Sequence, residues 1–473
     1  MNAGLLLAAV RLAAPFTDGA VLQRGAEVNV WGEAAANETV TVSFGDARAE
    51  AVAGTNGIWR AKLPPLTASR EGRTLQASAA SGTAAARNVV VGEVWIAAGQ
   101  SNMGIPLWGE SPRARDRLGG IVGQITHRKD MRTANLDNEA SVQPQRQERI
   151  RWQAAEPDFL LNGRAKAVST WFGLTLERTL DVPVGIFCAQ VGATCIETWI
   201  PDCHEPSQPR HLSQPHQLPS RLFNGKVAPI VPYTVRGMIW YQGESNSGEE
   251  TWPKYCTRMH QLIDGWRKEF GNPKMPIYFA QLAPWGSSNV PYIQCEQARF
   301  AAEDPYAALA VICDAGNLAD IHPNDKQVVA LRLALHALRR DYGYDIVSDS
   351  PTLARWRIEG GRFKLAFDHV KEWSVYDPDW LFRADPSKTT HLGFEVAGAD
   401  GRWVKARLGN LRRLANVSHV EYRGQIDGAE LEVWADEVPH PQQLRYLFSR
   451  PWKGMLYNEV GLPVGPFQVP SAL

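Results

Sequence analysis

Val91-Gly92-Glu93-Val94-Trp95-Ile96-Ala97-Ala98-Gly99-Gln100-Ser101-Asn102-Met103 is the stretch from which the rest of the chain can be read. Val94–Ala98 is a short apolar run, the pattern of a parallel strand buried on both faces. Gly99 breaks the run, and Gln100-Ser101-Asn102 follow. A serine on the turn after such a strand is displayed at the carboxyl edge of a sheet, where backbone N–H groups can receive an oxyanion. The turn lacks the G-x-S-x-G pattern, so that motif lends no support. Alone, the turn is weak evidence, and the bland alternative is a hydroxyl that caps a following helix.

At 473 residues the chain is too long for one core, and two or three domains are expected. A hydrophobic content of 44% is ordinary for a globular protein. Fifty basic and fifty acidic residues cancel, which argues against nucleic acid or an anionic membrane surface as the main partner. Nothing after the N-terminus approaches membrane-spanning length. Gly4–Val10 resembles the apolar part of a signal peptide, but no basic residue precedes it. The compartment therefore stays open between a trimmed signal and a first strand, with a periplasmic or secreted location slightly favoured over a cytoplasmic one. The six cysteines form no C-x-x-C pair, and Cys188 and Cys313 sit in apolar runs as small hydrophobes. Seventeen tryptophans either fill cores or line a sugar-binding cleft.

Working outward from the opening stretch, residues 11–88 alternate in short runs such as V-N-V-W, T-V-T-V-S-F and I-W-R-A-K-L, punctuated by glycines and Pro64-Pro65. This predicts an N-terminal β-sandwich domain over 1–88. From Val89 strands alternate with helices. Val184–Gln190, Val235–Trp240, Ile277–Leu282 and Ala307–Cys313 read as buried strands. Ala167–Leu180, Tyr255–Phe270 and Tyr292–Glu303 read as helices. Val328, Leu331, Leu335 and Leu338 mark one apolar helix face. A parallel sheet covered on both faces is expected over 89–343, with ligands at the carboxyl ends of its strands. Residues 344–473 return to short alternating runs, R-W-R-I, F-K-L-A-F, H-V-E-Y and L-E-V-W, and predict a C-terminal β-rich domain. The apolar, turn-rich E-V-G-L-P-V-G-P-F near the terminus is expected to dock.

The last candidate strand leads into C-D-A-G-N-L-A-D-I-H-P-N-D-K. Asp320 and His322 are two apart, and Pro323 keeps His322 extended, so both side chains can face one site. In a serine mechanism His322 would take the Ser101 proton and Asp320 would fix the imidazole tautomer. Alternatively, Asp320 caps the next helix beside an incidental histidine. The order Ser…Asp…His agrees with an α/β hydrolase layout. Gly192, after Val184–Gln190, suits close approach to an oxyanion or a plain turn. Gln242, in Tyr241-Gln242-Gly243-Glu244-Ser245-Asn246, can donate an amide N–H to the same oxyanion or belong to a polar loop. Glu244 is a second carboxylate for the histidine or a structural acceptor. His204, His211 and His216 lie in a Pro/Gln-rich loop without metal-ligand spacing, read as surface or as a lid. No Walker or dinucleotide glycine pattern follows a strand, so neither metal nor cofactor is expected.

G-Q-S-N-M after a strand, Y-Q-G-E-S-N after a middle strand and D-I-H-P before the last helix resemble the sialate O-acetylesterase-like branch of the SGNH (GDSL-type) hydrolases. V-L-Q-R…V-W-G, F-N-G-K-V-A-P-I-V-P-Y and N-E-V-G-L-P-V-G-P-F extend the resemblance over nearly the whole chain. It implies a three-layer α/β/α catalytic domain with a parallel sheet, flanked by β-domains. It also implies a serine esterase that removes O-acetyl groups from mono-, oligo- or polysaccharides. Position by position, it makes Ser101 the nucleophile, His322 the base and Asp320 the orienting acid. Gly192, Gln242 and the Ser101 N–H match the oxyanion-hole positions. Three departures stand out. Asp320 is two residues before the histidine, where many of these enzymes have three. Some relatives use the glutamate of Q-G-E, here Glu244, as the auxiliary acid. Ala193 stands where relatives often have a second glycine. Two other readings compete: a non-catalytic sugar-binding protein on the same scaffold, and an esterase for other acyl groups. The acetylated sugar, sialic acid or a plant polysaccharide such as xylan or xyloglucan, is not legible, nor is the oligomeric state.

Overall fold

The structure, a computed structural model, describes residues 9–107, 130–146, 150–205, 214–316, 319–323, 325–376, 392–409, 411–413, 423–426, 430–449 and 455–470. The expected strand at H-V-E-Y (419–422), His211 with much of its loop, and most of the Gly4–Val10 run lie outside the described residues. The chain divides into two compact units, Met1–Asn246 with Thr257–Tyr278, and Ser247–Cys256 with Phe279–Leu473.

In the first unit the N-terminal strands follow the sequence alternation. Val28–Glu33, Thr39–Phe44 and Ile58–Leu63 bury every second residue, as strands with one solvated face do. The opening stretch is the end of one long strand, β1 (Gly82–Gly99). Its first part pairs antiparallel with Ser69–Ala79, and Val90–Gly92 pair parallel with Val21–Gln23. Its last part, from Glu93 on, is the centre of a parallel array. The change of pattern at residues 88–89 therefore falls inside a strand and marks a change of neighbours.

Around β1 lie β2 (Met131–Asn135), β3 (Trp152–Ala154), β4 (Val184–Gln190), β5 (Gly237–Tyr241) and β6 (Ile277–Ala280). Their order is β3-β2-β4-β1-β5-β6 within a large mixed sheet. Strands β2, β4, β1 and β5 run parallel, and β3 is antiparallel to β2. The carboxyl half of β1, β4 up to Ala189, and all of β5 are buried, which explains their unbroken apolar runs. Helix α1 (Ala167–Leu180) buries Val168, Phe172 and Leu176.

The second unit contains the end of β6, strand β7 (Ala307–Ala310), and helices α2 (Val290–Glu303) and α3 (Lys326–Arg340). It also carries three small antiparallel sheets built from residues 352–469. Phe363, Leu365, Val375, Phe394, Val433, Leu444, Tyr446 and Val464 share their core. Val464 and Leu462 are buried, so the E-V-G-L-P-V-G-P-F segment docks.

One expectation fails. Of the expected face only Leu338 is buried; it joins Val329, Ala330, Leu333, Ala334 and Ala337, while Val328 and Leu335 are half-buried and Leu331 is 46% exposed. The cause is two buried polar residues on that face. Arg332 donates to Val311 O and to both Asp314 oxygens, and the His336 ring bonds Leu309 O at 3.1 Å. Hydrophobic periodicity assigns such residues to solvent.

Candidate active site

Three neighbouring parallel strands end at one level. Gly99 is the register partner of both Gln190 on β4 and Tyr241 on β5. The residues that follow, Gln100-Ser101, Val191-Gly192 and Gln242-Gly243, therefore leave the sheet side by side, where open α/β sheets place their ligands. Gly99 has φ +145°, and a Cβ there would fall 2.2 Å from Tyr241 O. Only glycine fits a strand end packed this closely.

Ser101, half-buried, opens a single helical turn, Ser101–Gly104. The next residue is a fixed point: buried Asn102 donates from Nδ2 to Glu244 Oε1 at 2.5 Å. Glu244 is thus tied to the turn that carries Ser101. Gly192 stands beside the serine, since a Cβ built on it would lie 3.7 Å from Ser101 Cβ. Alanine would fit there without strain, and a larger side chain would crowd the hydroxyl. The positive φ falls one residue later, at Ala193 (φ +57°), which accounts for a glycine preference at that position.

Gln242 is fully buried, and its Nε2 donates to Thr194 O at 2.9 Å and Asn246 Oδ1 at 2.8 Å. An amide nitrogen has two protons, so these acceptors account for both. In this arrangement the side chain braces the loop after β4 against the loop after β5. Residues that sequence reasoning missed complete the brace. Asn246 Oδ1 also accepts from Ile196 N–H at 2.9 Å, and its Nδ2 donates to Glu197 Oε2 at 3.1 Å. Gln217 spans Thr194, donating to Ala193 O and accepting from Cys195 N–H at 3.0 Å. Asn246 was visible within Y-Q-G-E-S-N, whereas Gln217 had no local signal.

In the second unit Asp320 and His322 stand together. Asp320 Oδ1 accepts from the His322 backbone N–H at 2.8 Å, and His322 Nδ1 is 3.8 Å from the same oxygen. The carboxylate fixes the backbone of the histidine, and at 3.8 Å its oxygen lies beyond hydrogen-bond reach of Nδ1. The segment is anchored upstream by the Asp314–Arg332 fork, at 2.5 and 2.7 Å.

A cavity of about 750 Å³ in the first unit is lined by Ser101 and Gly192. Among the described residues four cationic side chains border it, Arg151, Arg164, Lys166 and Lys226, and one acid, Asp137. No aromatic side chain is among its described lining residues. Trp59, Trp95, Trp199, Trp240 and Trp266 are instead fully buried. Cys188 also borders the cavity, but burial pushes its thiol up to about 11, which keeps it protonated at neutral pH.

A sheet whose parallel strands open their carboxyl ends onto a polar pocket is the usual ligand-binding arrangement of α/β proteins. Residues 91–331 match the family described as carbohydrate esterase, sialic acid-specific acetylesterase, and the chain belongs to that family of carbohydrate O-acetylesterases. It is 26% identical to the human sialate O-acetylesterase over 378 residues, covering 70% of this chain and 71% of the relative. Identity to the Pongo abelii sialate O-acetylesterase is also 26%, over 387 residues, with the same coverage. The structure is similar to that of a carbohydrate acetylesterase from Xanthomonas citri, with a TM-score of 0.82 and 31% identity over 97% of this chain and 99% of the other. Among the described residues no helix is long and apolar enough to cross a membrane.

Proposed function

We propose that this chain removes O-acetyl groups from an acidic sugar by a serine mechanism, with residues 89–343 as a three-layer SGNH domain. Ser101 Oγ attacks the acetyl carbonyl while His322 takes its proton. Asp320 orients and stabilises the resulting imidazolium. The oxyanion forms against the Ser101 and Gly192 backbone N–H groups. Gln242 acts either as a third donor or, in the arrangement described, by holding the Gly192 loop. Collapse expels the sugar oxygen, which leaves with the proton from His322. Water, deprotonated by the same histidine, then attacks the acetyl-enzyme and releases acetate and free Ser101.

The observation that carries the chemistry is the common level at which β4, β1 and β5 end, with Ser101 and Gly192 lining one pocket above it. The sugar class rests on the pocket. Four cations against one acid among the described lining residues, in a chain of zero net charge, favour a carboxylate-bearing substrate over neutral xylan or xyloglucan. The sialate O-acetylesterase names of the relatives agree with this.

Ser101→Ala is expected to lower p-nitrophenyl acetate turnover by about 10⁴-fold or more with the fold intact. Retained turnover rejects the serine mechanism. Acetate release compared across acetylated sialoglycans, xylan and xyloglucan tests the sugar class, and faster release from xylan or xyloglucan rejects the acidic sugar.

A further inference from the structure

Phe223–Val227, F-N-G-K-V, forms a π-helical turn. Such widened turns are rare and frequently found at functional sites. This one is pinned from outside. A Cβ on Gly225 would fall 1.8 Å from Glu139 O, Asn224 Nδ2 donates to Val142 O at 2.9 Å, and Asn224 O accepts from Gln145 N–H at 2.8 Å. The turn places Lys226 on the pocket that Ser101 lines.

Lys226 is 9% exposed, and among the described residues its ammonium makes one hydrogen bond, to Leu136 O at 2.7 Å. A neutral carbonyl does not compensate a buried cation. Burial pushes its pKa down, against the pull of Asp137 and Glu139. Two further N–H groups of the ammonium are available to a ligand. In the same pocket Asn135 Oδ1 and Gln190 Oε1 are buried and accept no hydrogen bond among the described residues. One cation and two acceptors are what a sugar with a carboxylate and hydroxyls satisfies.

We propose that Lys226 is the specificity-determining residue of this esterase: its ammonium binds the carboxylate of the sugar, while Asn135 and Gln190 accept from sugar hydroxyls. The proposal rests on the acetylesterase reading above. It separates two roles by the sign of a stability effect. A structural lysine stabilises the fold, so its loss lowers the melting temperature. A cation kept buried for a ligand opposes folding, so an apolar residue of similar length leaves the melting temperature unchanged or raises it while recognition is lost.

The experiment compares acetate release from O-acetylated N-acetylneuraminic acid and from its methyl ester, which removes only the charge. The wild-type enzyme is expected to prefer the acid in kcat/KM by about tenfold or more, with the preference shrinking as salt is added. In Lys226→Met the ratio falls towards one, mainly through KM, with the melting temperature equal or higher. Lys226→Gln, which keeps a donor without charge, loses the preference as well. An unchanged ratio in these variants overturns the proposal, as does a wild-type ratio of one, which can be read even if neither variant folds. Failure of the acetylesterase reading shows separately, as no acetate released from either substrate by wild type or as turnover persisting in Ser101→Ala.

Discussion

At the scale of the residue, the proposed mechanism leaves two candidate carboxylates for orienting His322. Asp320 lies 3.8 Å from His322 Nδ1, while Glu244 Oε1 is taken by Asn102 Nδ2 at 2.5 Å. Amidation separates their roles, because glutamine keeps an acceptor for Asn102 whereas asparagine removes the charge that stabilises an imidazolium. Asp320→Asn is expected to lower kcat by about 10³- to 10⁴-fold, and Glu244→Gln by about tenfold or less. Steady-state kinetics with p-nitrophenyl acetate checks this, and the reverse ranking makes Glu244 the orienting acid. Individual residues were legible where one local pattern sufficed: a serine after a buried strand, a glycine and a glutamine after two others, a histidine two after an aspartate. What was not legible was the partner of each polar group. Gln242 is a potential donor from its chemistry alone, but Thr194 O and Asn246 Oδ1 become its acceptors only once two loops meet.

At the scale of the element, agreement followed burial. Val184–Gln190, Ala167–Leu180 and Tyr255–Phe270 form over the spans their periodicity predicts. Long strand β1 was cut at residue 88 because its two ends have different environments: its first part pairs with an antiparallel strand and its last part is buried among parallel ones. Helix α3 was rotated because Arg332 points inward. That arginine forks onto Asp314 and also bonds Val311 O at 2.8 Å, fixing the exit of β7 that leads to Asp320 and His322. A lysine keeps the charge but not the fork. Arg332→Lys is expected to destabilise by about 1–2 kcal/mol, to speed amide exchange at Ile321 and His322, and to lower kcat more than it raises KM. Unchanged exchange at these amides would show that the fork does not hold this segment.

At the scale of the whole molecule the charges balance, so local imbalance carries the meaning. The Ser101 pocket is one such place, and Glu93 is the other. This residue of the opening stretch sits where β1 passes from the N-terminal strands into the parallel array, and it is fully buried. Gln23 Nε2 donates to it at 2.8 Å, Arg24 Nε at 2.5 Å and Arg236 Nε at 3.1 Å. Burial alone would raise its pKa. The charge and hydrogen bond of Arg236, with the hydrogen bonds of Gln23 and Arg24, outweigh burial and hold it below the usual carboxylate value. A carboxyl depressed in the folded state stabilises fully above its unfolded pKa, about 4.3, and loses that contribution as pH falls through its folded value. Glu93→Gln leaves the two arginines without their counter-charge, so it is expected to destabilise by about 3 kcal/mol at pH 7. The deficit should begin to shrink as pH falls below the unfolded value of about 4.3, where the unfolded chain takes up the proton first, and shrink further as the folded carboxyl is itself protonated at lower pH. Urea unfolding at neutral and acid pH measures it, and a deficit of the same size at both would mean that Glu93 contributes through packing rather than through its charge.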